Sequence, residues 1–437
     1  MKHIQGTFAT DKHGWAELLP EGKAAPSLTG NHRVPWVVVG AGVTGLGCAR
    51  ELARIHPDQE IILLEARLIG QGATGRSSGF AMDSSRFGGR FEPSEADTYR
   101  RVNRINQAGL TLLRTQITDH AIDCQWHENG FLHGAADQSA MKERDDYLNY
   151  LEFLEIAHTP LDQHEMSAHL GTSHYNLGIH VHAGALVQPA ALVRGLASTL
   201  PSNVTLYEQS PVLNIDHGAP LTLSLPGGEV RTDKLILATN YEVTKLGFLH
   251  RYLTGVTLSG SFTRPLTDDE FASLGNLQQW GVLSLHNAGA TVRLTSDRRI
   301  CLRNTGEYHG GDLLSEKTLA RRQSLHRAAF LQRFPQLAHI PFEYAWSGVE
   351  GKTRNNTNYF GKQREAVYFA GGYNGSGISR GTAFGTAIAG YASGVQSSLI
   401  EDCLASAPGV WTPPRPFLDV GAFLSVKIQF LGVGKDR

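Results

Sequence analysis

The 437-residue chain is short of several things. No stretch approaches the ~18 consecutive apolar residues that a membrane-spanning helix needs, so none is expected. Charge of one sign is missing too: 40 Lys and Arg face 41 Asp and Glu, a net charge of −1. That balance, without a long basic run, argues against a nucleic-acid partner. Cysteine is scarce. Cys48, Cys124, Cys301 and Cys403 are scattered, with no CxxC and no Cys/His cluster, so neither a metal centre nor a redox disulfide is expected. The opening "MKHIQGTFATDKHGW" has no apolar core of a secretory signal. A cytoplasmic protein is the expectation. What the chain has in quantity is glycine, 48 residues, and a 41% hydrophobic content, enough for a large core.

The glycines are not spread evenly. "GAGVTG", Gly40 to Gly45, follows the apolar run "WVVV" (36–39), which has the look of a strand buried in a parallel sheet. Apolar residues then recur at Leu46, Ala49, Leu52, Ala53 and Ile55, roughly helical spacing, before Pro57 and Asp58 stop the helix. "IILLE" (61–65) reads as a second strand ending on an acid. Strand, glycine turn, helix and strand in about 30 residues make a βαβ unit that binds a dinucleotide. Gly40 permits the tight turn, Gly42 lets the backbone approach a pyrophosphate, and Gly45 lets helix and strand pack closely. Val43 and Thr44 open the helix, whose free N–H groups attract the anion. Glu65 stands where an acid accepts hydrogen bonds from a ribose diol and repels a 2′-phosphate, and Ala66 follows it. FAD or NAD is therefore expected rather than a 2′-phosphorylated cofactor.

Two further stretches bear on which. "LIGQGATGRSSGFAM" (68–82) is a loop after a strand end that exposes backbone N–H groups, but its composition alone favours a flexible surface loop. "AVYFAGGYNGSGISRGTAFGTAIAGYASG" (366–394) repeats the strand–glycine–helix pattern some 330 residues after the first, and "KLILATN" (234–240) is a strand between them. An NAD domain seldom needs three such elements across a whole chain. An extended FAD, closed over from both ends of the sequence, does.

With "VVVGAGVTGLGCARELA…IILLEA", "GQGATGRSSG", "HAGALVQPAALVRGLA", "LILATN" and "YFAGGYNGSGISRGTAFG" in this order, the chain resembles the D-amino-acid oxidase superfamily of FAD enzymes over about residues 34–395. The resemblance leans to the branch that includes gamma-glutamylputrescine oxidoreductase. It implies an α/β fold: a Rossmann-like FAD-binding domain interleaved with an α+β substrate domain built on an antiparallel sheet. It implies that Gly40, Gly42 and Gly45 hold the pyrophosphate and Glu65 the ribose. Gly72, Ala73, Thr74, Gly75 and Arg76 would run beside pyrophosphate and flavin, and Val212 would pair its backbone with adenine. Thr239 would join the cofactor site, and Gly372, Tyr373, Asn374, Gly375, Ser376 and Gly377 would lie at the flavin's pyrimidine end. The chain departs from the family at Ser77, Ser78 and Asn374, which would face the substrate. No Cys or His stands where covalent attachment of flavin is expected, so the FAD reads as non-covalent, with Cys48 a small core residue.

The organisation expected is an N-terminal arm (1–33), FAD-binding segments (34–95, 175–240, 341–400), substrate-domain segments (96–174, 241–340) and a C-terminal tail (401–437). The arm packs on the body or on a partner subunit. Residues 96–170 look helical, 186–199 a helix opening at Pro189, 204–238 short strands, 252–310 a larger antiparallel sheet, and 315–334 a helix. The apolar tail docks on the body or a neighbouring subunit, or lies on a membrane surface. The family's usual reaction is hydride transfer from a C–H beside an amine to flavin N5, giving an imine that water hydrolyses; the substrate is then a small amine or amino acid. A monooxygenase using NAD(P)H and a non-catalytic flavin-binding subunit are the alternatives. No catalytic base is nominated. Arg303 in "ICLRNTGEY" clamps a carboxylate or sits in a surface ion pair. Arg293 reads as structural. Trp346 walls the pocket or packs in the core. His309 reads as an exposed loop residue. Lys352 and Arg354 stabilise reduced flavin or belong to a solvated loop. Oxidase or dehydrogenase, and the oligomeric state, stay open.

Overall fold

Val37, Val38, Ile62 and Leu63 have no exposed surface, because their strands lie in the middle of a sheet covered on both faces. β1 (Gly30–Val39) pairs in parallel with β2 (Ile61–Leu64) and with β11 (Gly228–Leu237), Val37 opposite Ile62 on one side and Leu235 on the other. β8 (Val204–Tyr207) extends the sheet beyond β2, and β18 (Val367–Gly371) and β17 (Tyr359–Arg364) extend it beyond β11, giving the order β17-β18-β11-β1-β2-β8. β9 (Asn214–Asp216) and β10 (Leu221–Leu225) fold back on β11 as an antiparallel flap. The computed structural model describes residues 13–84, 90–137, 140–275, 277–286, 288–431 and 433–437. Residues 1–12 of the expected arm lie outside the described residues. Residues 30–33, read as part of that arm, instead begin β1, held by the pairing Gly30↔Gly228.

One face of this sheet is packed by α2 (Val43–Ile55), α3 (Ala96–Asp119), α6 (Pro189–Ser198), α9 (Gly377–Ala392) and α10 (Ser398–Leu404). Leu46, Ala49, Leu52 and Ala53 of α2 are buried there, as their spacing requires, and Cys48 packs among them. α2 and α9 come very close: a Cβ on Gly385 would stand 2.1 Å from the Thr44 carbonyl oxygen. The short α1 (Gly14–Glu17) packs on the body. Trp15 is buried edge-on against Phe262, 4.6 Å between centroids, and its carbonyl accepts from Gln188 Nε2 at 2.7 Å.

The second sheet runs β16-β12-β15-β14-β13-β4-β6-β5, from β4 (Phe131–Ala135), β5 (His158–Asp162), β6 (Leu177–Val181), β12 (Leu253–Thr263), β13 (Trp280–Ser284), β14 (Thr291–Leu294), β15 (Ile300–Glu307) and β16 (Phe342–Thr353). The large sheet expected over 252–310 is thus present, with three differences. β4 and β5 arise within 96–170, which reads as helical; there they alternate with α4 (Met141–Phe153) and α5 (Gln163–Leu170). β6 and β16 belong to this sheet although they fall in segments expected to bind FAD. And β4 lies parallel to β13, Val282 opposite Leu132, whereas the other neighbours are antiparallel. β4 and β13 come from distant segments, so no hairpin dictates their direction. β3 (Phe80–Ala81) and β7 (Ala185–Leu186) form a small ribbon. α7 (Asp268–Ala272) follows β12, and α11 (Phe417–Leu431) follows α10. Among the described residues no helix is long and apolar enough to cross a membrane.

α8 (Glu316–Arg333) backs the second sheet through Phe330 and the buried His326. His326 Nδ1 lies 2.8 Å from Ser261 Oγ, and burial pushes its pKa from 6.5 down to about 4. Burial likewise lowers His13 and His174 to about 3. These imidazoles stay neutral in the fold while the unfolded chain takes up protons below pH 6.5. The stability they contribute is complete above pH 6.5 and is lost as pH falls towards 4. Each imidazole removes roughly 1.4 kcal/mol per pH unit in that window. Urea unfolding across it is expected to show that slope eased by about one imidazole in His326→Asn; an unchanged slope contradicts the assignment.

Candidate functional site

β1 ends at Val39 and the chain turns at Gly40, whose φ of +99° a side chain would strain. Five residues on, a Cβ at Gly45 would meet the Gly40 carbonyl oxygen at 1.7 Å, so helix and turn touch only because residue 45 is glycine. Gly42 caps α2 with no side chain competing for the first N–H groups. Those groups point at an open cleft with the helix's partial positive charge behind them. The cleft has a volume of about 1810 Å³. It is lined by Gly40, Gly42, Val43, Thr44, Glu65, Ala66, Gly72, Ala73, Thr74, Arg76, Ser77 and Ser78 from the first third of the chain. Val212 and Thr239 line it from the middle, and Tyr373, Asn374, Gly375, Ser376 and Gly377 from the start of α9. Arg303 and Trp346 line it from the second sheet. Gly45, Gly75 and Gly372 do not reach it. Gly45 and Gly75 pack against backbone behind it, and Gly372 donates its N–H to Asn240 Oδ1 at 2.9 Å.

Glu65 follows β2 at the cleft wall. Burial raises its pKa, and the amides of Ala41 and Arg67, at 2.9 and 3.0 Å, oppose that rise. Its carboxylate is therefore fixed at the cleft wall, as an acceptor for a diol must be. Thr239 Oγ1 is buried with no hydrogen-bond partner among the described residues. An unpartnered hydroxyl costs free energy unless a ligand supplies the partner. Uncapped amides, a held carboxylate, an orphaned hydroxyl and a long cleft suit an extended dinucleotide.

Several side chains do something other than the resemblance implies. Arg76 is buried and donates to Gln71 O at 2.8 Å and to Ser347 O at 2.9 Å, so its guanidinium straps the glycine-rich loop to β16. Asn374 lines the cleft, but its side-chain amide is occupied: Oδ1 accepts from Thr353 N at 2.8 Å, and Nδ2 donates to the Thr357 and Gly372 carbonyls, both at 2.9 Å. It shapes the turn instead of facing substrate. Ser77 Oγ accepts from the Gly79 amide at 3.4 Å, and the Ser78 carbonyl accepts from Arg293 at 2.9 Å. Trp346 is buried against Phe262 and also lines the cleft. Arg293 is the structural residue expected, also bonded to Val187 O at 2.8 Å. Tyr373 OH lies 2.9 Å from Thr44 Oγ1, which joins the two glycine motifs directly.

Arg303 is different. Burial lowers its pKa, with Glu350 opposing, and Nη2 donates to Thr291 Oγ1. Among the described residues it forms no ion pair. Glu350 is held by Lys352 at 2.6 Å instead. Arg354 donates weakly to Trp411 O at 3.4 Å, and His309 lines the cleft from an exposed loop. Of the cysteines only Cys301 lines the cleft, and burial pushes its thiol up to about 12.

The cleft has walls that pattern reading did not find. Tyr99 and Tyr150 stand on α3 and α4, and Arg380 is buried on α9, donating to Asn106 Oδ1 at 3.0 Å. Arg380 was within sight, four residues past Ser376 in the glycine-rich stretch; the tyrosines belong to no motif. Leu418, Ala422, Val426 and Phe430 of α11 close another side.

Residues 35–391 match the family of FAD dependent oxidoreductases, DAO. The chain belongs to that family. FAD is thus the dinucleotide that the cleft takes. Among curated relatives, the chain is 26% identical over 369 residues to the probable oxidoreductase OrdL of Haemophilus influenzae, covering 81% of each chain. It is 26% identical to the gamma-glutamylputrescine oxidoreductase of Escherichia coli, covering 78% of this chain and 79% of that one. In fold it is similar to glycine oxidase from Geobacillus kaustophilus, with a TM-score of 0.70 at 19% identity, over 84% of this chain and 96% of that one. It is also similar to L-proline dehydrogenase from P. horikoshii, with a TM-score of 0.69 at 17% identity, over 84% and 96%.

The close approach at Gly45 gives a prediction. Gly45→Ala is expected to push the glycine turn out of place and weaken FAD binding at least 100-fold, yielding a colourless protein that is still folded by circular dichroism. FAD titration of the apoprotein checks this; a yellow variant of unchanged affinity contradicts it.

Proposed function

We propose that this protein oxidises the C–N bond of an amine or amino acid that carries a carboxylate, with FAD held non-covalently. When bound, FAD supplies flavin N5 as acceptor of the hydride from the C–H beside nitrogen. The nitrogen lone pair forms the C=N bond as the hydride leaves, and water then hydrolyses the imine to a carbonyl compound and a free amine. The single observation that carries the substrate side is Arg303. It is a desolvated guanidinium on the cleft wall with no carboxylate of the protein within salt-bridge reach among the described residues. Arg76, Arg293 and Arg380 each donate to protein acceptors, although Arg293 Nε and Nη2 have no partner among the described residues. Lys352 and Glu350 offset one another. Arg303 keeps its positive charge at the cleft wall, and a guanidinium meets a carboxylate with two parallel N–H donors.

The rest of the wall orients and excludes. Trp346 and residues 348–353 of β16 form one wall. Tyr99 and Tyr150 add aromatic surface to the lining. No side chain needs to act as a strong base if the amine arrives neutral. The names of the relatives fit this reading, since they act on a glutamylated polyamine, on glycine and on L-proline.

Anaerobic mixing with a panel of amines and amino acids, followed by flavin absorbance, tests the proposal. Bleaching by a carboxylate-bearing amine is the expected result; a yellow protein that none bleaches overturns it. Arg303→Met is expected to lower kcat/KM for that substrate roughly 10- to 150-fold, the worth of a charged hydrogen bond, mainly through KM. An amine without a carboxylate should lose nothing. Equal loss on both contradicts the assignment of Arg303.

A further inference from the structure

α11 is apolar on both sides. Its inner stripe, Leu418, Ala422, Val426 and Phe430, lines the cleft. Its outer stripe follows helical spacing at Val420, Phe423, Leu424, Ile428 and Leu431, and these side chains are exposed, from 49% at Leu424 to 76% at Leu431. An exposed apolar stripe of this length on a helix is a surface that a partner or a lipid covers in the working state.

We propose that the outer face of α11 docks on an anionic lipid surface. Charge supports this occupant. Residues 410–437 carry Arg415, Lys427, Lys435 and Arg437 against two acids, of which Asp419 pairs with Arg415 at 3.3 Å and Asp436 is buried, so basic charge is left in excess. Asp419 accepts from Tyr308 OH at 2.6 Å, and Asp436 is fully buried, accepting from the Ala136 amide at 2.8 Å. Lys427 lies on the outer stripe itself, between Phe423 and Leu431, where its stem covers apolar surface and its ammonium meets headgroups. Size argues against a second copy of the chain. The outer strip is about 22 Å long and 10 Å wide, far below the roughly 800 Å² per partner of a stable dimer. A bilayer surface needs no matching partner and accepts one apolar helix lying flat. With 15 residues, α11 lies on the bilayer rather than spanning it. Its inner stripe would then put the mouth of the cleft beside the lipid.

Flotation of the FAD-loaded chain with vesicles tests this. Binding is expected to vesicles of phosphatidylcholine mixed with phosphatidylglycerol, and to weaken with salt. The variant Phe423→Ser/Leu424→Ser/Ile428→Ser, none of which lines the cleft, is expected to lose that binding while keeping its flavin spectrum. Lys427→Gln, which leaves the apolar stripe intact, is expected to bind about fivefold more weakly. Wild-type chain that stays free of vesicles overturns the proposal, as does a triple variant that binds as tightly. A concentration-dependent dimer that the triple variant abolishes, without vesicle binding, assigns the face to a second copy and overturns it equally.

Discussion

The contact between α2 and α9 is the constraint on which the site depends. α2 begins at the first glycine turn and α9 at the last, over 300 residues apart in sequence. They sit together because Gly385 leaves room for the Thr44 carbonyl, and because Thr44 and Tyr373 share a hydrogen bond of 2.9 Å. Burial raises the Tyr373 pKa, so the phenol stays protonated and the bond persists at any ordinary pH. The two helix starts then open onto one cleft. One offers amides to a pyrophosphate, and the other presents a glycine-rich backbone beyond it. Neither end of the chain makes the site alone.

The second sheet inherits its place from that arrangement. Arg76 and Trp346 stitch the glycine-rich loop to β16, and Arg293 ties the next residues of the same loop to β14. Arginines that reach across to backbone carbonyls in this way tie the loop to the second sheet. A buried guanidinium is costly unless something satisfies it, so each inward arginine marks a place where the fold is fixed. Arg303 faces the cleft with no acid in salt-bridge reach among the described residues, which is why the proposed carboxylate is assigned to it.

Much of this could be read from residues alone, and the exceptions have physical causes. The βαβ unit was legible because three signals coincide there: a buried apolar strand, a glycine turn and helical spacing. α6, α8 and α9 declare themselves by proline, charge and small residues. β4 and β5 do not. "FLHGA" is buried along its whole length, so it has no alternation, and "HTPLD" carries Pro160 on an edge strand, where a missing N–H does no harm. Roles of single side chains were the least legible. Asn374 stands at a position where an amide could face substrate, but the carbonyls of Gly372 and Thr357 and the amide of Thr353 claim it first. The aim of Arg76 depends on Ser347, 271 residues away, and no local pattern encodes that.

The most direct measurement is a crystal structure of the FAD-loaded protein with a carboxylate-bearing amine analogue bound. The account predicts the pyrophosphate on the amides at the start of α2, the ribose diol at Glu65, and the analogue's carboxylate on Arg303, with its nitrogen-bearing carbon over the flavin. A carboxylate held by another cation, with Arg303 still bound only to Thr291, would contradict it.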